Sequence, residues 1–139
     1  MIERYCDGVV PAVDTDAALR AEFDGMFARV DELLSAAELS AALEEVWQRV
    51  RRLNRYVEEN APWALAREGA LRAAELAGVL ASLAEGLRVV TLALAPYMPA
   101  KTEVLLAALG AGERLERVFA AQGSGERVSQ IAPLFPKSA

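Results

Sequence analysis

At 139 residues, with 54% hydrophobic and 25% charged positions, the chain has the size and balance of one globular domain and not of a disordered segment. It contains no histidine and a single cysteine, which excludes imidazole zinc sites, Ser-His-Asp and Cys-His nucleophile systems, internal disulfides and thiolate metal cages. The net charge of −5 argues against a general nucleic-acid binder, and no glycine-rich phosphate loop is present, so no cofactor is expected.

Charge is unevenly spread. Residues 1–48 carry 11 acids against 3 bases, whereas residues 49–72 carry 6 arginines against 3 glutamates. A local basic patch on an acidic body is the consequence. The composition, with 28 alanines and 19 leucines, favours helices.

The first predicted helix begins after Asp14-Thr15-Asp16, which supply caps, and carries Leu19, Phe23, Met26, Phe27, Val30, Leu33 and Leu34 at steps of three and four. Ser35-Ala36-Ala37-Glu38 reads as a capping box opening a second helix. Its apolar stripe is Leu39, Leu43, Val46, Trp47, Val50, Leu53 and Val57, with Gln48, Arg51, Arg52 and Arg55 on the opposite side. That helix ends near Asn60, because a residue preceding proline is pushed from helical geometry. Pro62 then starts a short helix to about residue 68, stopped by Gly69.

A third long helix is predicted over residues 70–95, with Leu71, Leu76, Val79, Leu80, Leu83, Leu87, Val90 and Leu94 on its apolar side and Pro96 and Pro99 at its exit. A shorter one covers residues 100–109, and residues 113–121 read as weakly helical. The expected architecture is all-α, a small antiparallel helical bundle over residues 1–121 with an extended tail over residues 122–139 packing back on it. The start of the sequence lacks a basic-then-apolar leader, and the longest apolar run, residues 89–100, holds two prolines. A soluble, cytoplasmic protein is expected.

Few residues offer chemistry. The arginine face reads either as a solvated surface laced by pairs such as Glu45 with Arg49 and Arg55 with Glu59, or as a phosphate contact. Asn54 is placed at the edge of the apolar stripe, as a buried amide that fixes register or as a ligand-reading amide. Trp63, behind Pro62, is either a packing residue or a platform for an unpaired base. Trp47 and Cys6 read as core, and Gly78 and Gly86 as points of close helix approach. Glu44 and Glu45 point in different directions and make a poor acid/base pair.

The segment Leu53-Asn54-Arg55-Tyr56-Val57-Glu58-Glu59-Asn60-Ala61-Pro62-Trp63-Ala64-Leu65-Ala66-Arg67 closely resembles the N-x-Y-x(5)-P-W-x-L-A-K/R signature of methionyl-tRNA synthetases, in their helical anticodon-binding domain. Three further stretches are similar to that domain. These are Met1-Ile2-Glu3-Arg4-Tyr5-Cys6-Asp7-Gly8-Val9-Val10-Pro11, then Leu92-Ala93-Leu94-Ala95-Pro96-Tyr97-Met98-Pro99 with Leu109-Gly110, and Leu134-Phe135-Pro136-Lys137. The resemblance implies a bundle of the class Ia anticodon-binding type. It implies that Trp63 stacks on an anticodon base of tRNA-Met, with Pro62 setting its position; Arg52, Asn54, Arg55 and Arg67, of the basic segment, are expected as neighbouring RNA contacts. In the family an asparagine and an arginine four residues apart also read the anticodon, upstream of the segment matching Met1. That pair and the catalytic signatures are absent from this sequence, so the chain alone is expected not to charge tRNA. The partners implied are the tRNA-Met anticodon stem-loop and the synthetase catalytic domain. The competing reading is a helical docking or structural module without RNA recognition; self-association through the surface an upstream helix would leave is a separate expectation.

Overall fold

A computed structural model describes residues 2, 6, 8–111 and 114–129. It contains α1 (Ala17–Glu22), α2 (Met26–Ser35), α3 (Leu39–Asn60), α4 (Pro62–Arg67), a 3-10 turn (Gly69–Arg72), α5 (Ala73–Leu94) and α6 (Pro99–Ala108). The all-α bundle read from periodicity is the observed fold.

Asp16 caps α1 as expected, its Oδ1 accepting from the Ala18 and Leu19 N–H groups at 2.9 and 3.1 Å. The single first helix of the prediction is broken, however. Gly25 sits at φ 80, a left-handed conformation that glycine adopts without a Cβ penalty, and it turns the chain between α1 and α2. The break buries Phe23 and Met26 together, and the Phe23 ring meets Phe119 with centroids 5.2 Å apart.

The predicted capping box does not form. Ser35 is the last residue of α2, and Ala37, at φ 59, closes that helix while its N–H donates to Leu34 O and the Glu38 N–H donates to Leu33 O at 2.8 Å. This double reverse bond is a Schellman ending, so the serine's helix had already claimed the backbone that a box needs.

Helix α3 packs against α2 and α5. Its buried seam is Ala42, Val46, Leu53 and Tyr56, spaced by four, seven and three residues, which is rotated from the predicted stripe. Trp47 and Leu39 are therefore exposed, at 41% and 58%, and Asn54 is exposed rather than bundle-facing. The physical reason is that small Ala42 and ring-bearing Tyr56 do the burying, and both are easily passed over in a stripe of large aliphatics.

Helix α5 runs through the middle and is buried nearly all round. By length and composition the stretch Gly69–Leu94 is apolar enough to cross a membrane, longer than the apolar run the sequence suggested, yet 72% of its apolar window is buried inside the protein. That is the situation of a core helix. Gly86 permits the expected close approach, since a Cβ there would lie 2.5 Å from Leu53 Cδ2. Gly78 does not, its nearest neighbour being Asp14 O at 3.8 Å. Two members of the predicted α5 stripe, Leu71 and Leu87, are exposed, because Leu71 belongs to the 3-10 turn and Leu87 points away from α3's contact at Gly86. Cys6 is half-buried and joins Ile2 in packing against the core cluster.

No helix forms over the described residues 114–121, contrary to expectation. Instead the guanidinium of Arg88, 1% exposed on α5, donates to the carbonyl oxygens of Arg114, Glu116 and Val118 at 3.0, 2.8 and 2.7 Å. Those carbonyls point at α5, and a helix would have turned them along its own axis. The chain then runs antiparallel to residues 8–15, with isolated bridges at Val9–Arg127 and Asp14–Gln122. The Gly123 and Val128 N–H groups each donate across at 2.8 Å, to Val13 O and Gly8 O. The Leu134-Phe135-Pro136-Lys137 segment, and Met1, residues 3–5 and Asp7 of the first one, lie outside the described residues.

Glu85, 3% exposed, completes the clamp by accepting from Arg88, Arg114 and the Ala120 N–H. Burial raises its carboxyl pKa, but the hydrogen bonds from Arg88 and Ala120 and the two arginine charges outweigh it, and the net direction is down. A depressed folded-state value means a stabilising contribution that is fully present above an unfolded-state pKa of about 4.3 and lost as pH falls through the folded value. Unfolding followed from pH 6 to pH 2 is therefore expected to show a steep acid limb that Glu85→Gln flattens. An unchanged acid limb in Glu85→Gln would contradict it.

Candidate functional site

The corner where α3 gives way to α4 is built on a polar hub. Asp16, besides capping α1, accepts from the Tyr56 hydroxyl through Oδ2 at 3.2 Å, while its own N–H donates to Ser82 Oγ at 2.8 Å. One residue thus ties α1 and α3 together through its carboxylate and α5 through its backbone N–H, with Tyr56 four residues before α3 ends. Tyr56 is buried, and burial raises the pKa of its hydroxyl, so it stays a donor at neutral pH. Asn60 Nδ2 donates back to Tyr56 O at 2.9 Å and finishes the helix. Sequence reasoning passed over Tyr56 and Asn60 as site-building residues, although both stand inside the signature itself.

Ala61 forms the joint, and Pro62, whose missing N–H is no loss in a first turn, is buried as the first residue of α4. Trp63 follows it and is 43% exposed. Its indole is therefore anchored at the backbone by a buried proline while much of the ring faces outward. Arg67 lies one turn further along the same helix face and is exposed. Among the described residues neither Arg67 nor the exposed Arg55 makes an ion pair.

The other arginines are engaged. Arg52 donates through Nε to Glu22 at 2.7 Å, reaches Glu59 at 3.5 Å and lies 5.9 Å from the centre of the Tyr56 ring. Glu59 thus pairs with Arg52 and not with Arg55, the partner the four-residue spacing suggested. Arg51 pairs with Glu44, and the expected Arg49–Glu45 pair forms at 2.8 Å. Of the six sequence-predicted residues, Trp63, Arg67, Asn54 and Arg55 face solvent, Pro62 supports from beneath and Arg52 is tied down.

An open cleft of about 250 Å³ lies beside this corner, lined by Asp14, Thr15, Asp16, Tyr56, Asn60, Glu75, Gly78 and Val79. Its acidic rim repels phosphate and leaves Arg55 and Arg67 as the free cations of the corner. Among the described residues no group of three or more His, Cys, Asp or Glu is placed to hold a metal ion.

No family model matches the chain. It is 41% identical over 115 residues to the methionine–tRNA ligase of Streptococcus pyogenes serotype M3, a match covering 79% of this chain and 17% of the relative. Against the ligase of Caldanaerobacter subterraneus it is 34% identical over 119 residues, covering 83% and 18%. The apo crystal structure of Mycobacterium tuberculosis methionyl-tRNA synthetase superposes with a TM-score of 0.86 at 28% identity, over all of this chain and 30% of that one. Sequence and bundle together define a portion of an aminoacyl-tRNA synthetase. Within that class, the chain belongs to the methionyl-tRNA synthetase family. It spans less than a fifth of the length of the curated relatives it matches.

Proposed function

We propose that the chain is the anticodon-binding portion of a methionyl-tRNA synthetase, residues 1–121 forming the bundle and 122–139 a tail, and that it takes the tRNA-Met anticodon loop by stacking a base on Trp63. The observation that carries this reading is the half-exposed indole that follows a fully buried proline, with Arg67 one turn further along α4 and Arg55 exposed on α3, neither of them ion-paired among the described residues. A flat aromatic face exposed on a rigid backbone stacks any unpaired base, and a few cations near it suffice for the loop phosphates. Arg55, Arg67 and Asn54 are the proposed neighbouring contacts, with Arg52, held by Glu22 and Glu59, beside them on α3. The acidic remainder keeps non-specific binding low. The partners are the tRNA anticodon stem-loop and the enzyme's catalytic domain, and the compartment is the cytoplasm. In a Trp47→Phe background, adding the stem-loop is expected to quench Trp63 emission and shield it from iodide. Unchanged emission at saturating RNA would sink the reading.

A second reading is favoured by one observation. Leu39, Leu43, Trp47, Val50, Asn54 and Val57 recur on one face of α3 at steps of three and four, and Leu39, Trp47 and Asn54 are exposed. An exposed row with that spacing is what a further helix packs on. Under this reading the domain self-associates, and sedimentation is expected to show dimers that Trp47→Glu dissolves. A monomer at millimolar concentration would count against it.

A further inference from the structure

We propose that Ala61 is a positioning residue of the Trp63 corner, its left-handed backbone fixing the direction in which the indole is presented; this rests on the RNA-binding reading above. Among the described residues only Ala37 and Ala61 combine a side chain with positive φ, at 59 and 43°. The Cβ of any such residue crowds the following carbonyl, so glycine is the easier occupant of both positions.

The two alanines differ in what depends on them. Ala37 ends α2 and is followed by Glu38 before α3 begins. Ala61 is the whole connection between α3 and α4, serving as the end of one and the start of the next. Its N–H donates to Val57 O at 2.9 Å, and its carbonyl accepts from Ala64 and Leu65 at 2.8 and 3.2 Å. Pro62 then fixes the next φ through its ring and is buried. With both flanking peptides pinned, the angle between α3 and α4 is set by one residue. That angle sets the direction of the Trp63 Cα–Cβ bond, and with it the side of the corner on which the 43%-exposed indole is presented. Glycine at the joint would relax the strain and widen the accessible angles at once. Strain kept beside a binding residue is a recognised form of pre-organisation.

The test compares Ala61→Gly with Ala37→Gly, each in the Trp47→Phe background. Both are expected to raise the melting temperature by a few degrees. Only Ala61→Gly is expected to weaken binding of an RNA hairpin carrying the tRNA-Met anticodon loop, about threefold or more, and to lower the fluorescence anisotropy of Trp63. Opposite signs for stability and binding are what a merely structural residue would not give. Unchanged affinity and anisotropy in Ala61→Gly would overturn the proposal. If the parent protein fails to bind the hairpin through Trp63, the RNA reading fails separately. Anisotropy then decides the positioning role, a drop supporting it and no change overturning it.

Discussion

Arg88→Met is expected to cost about 3–5 kcal/mol of folding stability, read as a lowered urea midpoint. The side chain is among the most buried in the protein, and it donates five hydrogen bonds to four acceptors: two to Glu85 Oε1 and one each to the carbonyls of Arg114, Glu116 and Val118. Methionine fills much of the same volume but donates nothing. Glu85 would be left buried with only the distant Arg114, at 3.3 Å, and the Ala120 N–H, and three carbonyls would lose their donor. Against a total of about 5–15 kcal/mol, such a loss removes a large share of the margin. The double variant Arg88→Met with Glu85→Leu is expected to be milder than the sum of the singles, because it removes both charges together. A single-variant cost under about 1 kcal/mol would mean that the clamp contributes little, whatever its geometry.

Gly123→Ala is the second large effect, expected at about 2–3 kcal/mol by the same measurement. A Cβ built on Gly123 would lie 1.8 Å from Pro11 O and 2.9 Å from Ala81 Cβ. Neither obstacle is the flexible end of a long side chain. The returning chain would have to lift from residues 8–15, and the bond from the Gly123 N–H to Val13 O would stretch with it. Amide exchange offers an independent check, since the Val10, Thr15 and Val128 N–H groups all depend on the same antiparallel approach and should exchange faster together. Normal stability with unchanged protection would contradict the account of this contact.

Much of the bundle was legible because helices announce themselves through periodicity and punctuation. Asp16 as a cap, Asn60 as the end before a proline, and Pro62 as an opening residue are local signals, and each stands where expected. What misled was the assumption that burial follows the largest aliphatic side chains. Trp47 and Asn54 were assigned to the interior on that basis, whereas Ala42 and Tyr56 occupy the seam. An extended tail is expected from residue 122, but its pairing with residues 8–15 left no local signal, because those bonds join positions more than a hundred residues apart. The buried Glu85–Arg88 pair was equally hidden: two charges three residues apart look like an ordinary exposed helix pair until the partners' carbonyls are known. The corner itself was readable through the Pro62-Trp63 signature. The supports beneath it, Tyr56 on Asp16 and the strained Ala61, needed the three-dimensional arrangement.

The measurement that bears most directly on the proposed role is a titration with the tRNA-Met anticodon stem-loop at low salt, beside a stem-loop of altered anticodon and with Trp63→Ala in parallel. Loss of one stacked base is worth about 1–3 kcal/mol, so Trp63→Ala should weaken binding to the cognate loop by roughly 5- to 150-fold and erase its preference over the altered loop. Equal binding of the two loops by the unaltered protein, or equal binding by Trp63→Ala, would contradict an anticodon-reading role for this corner.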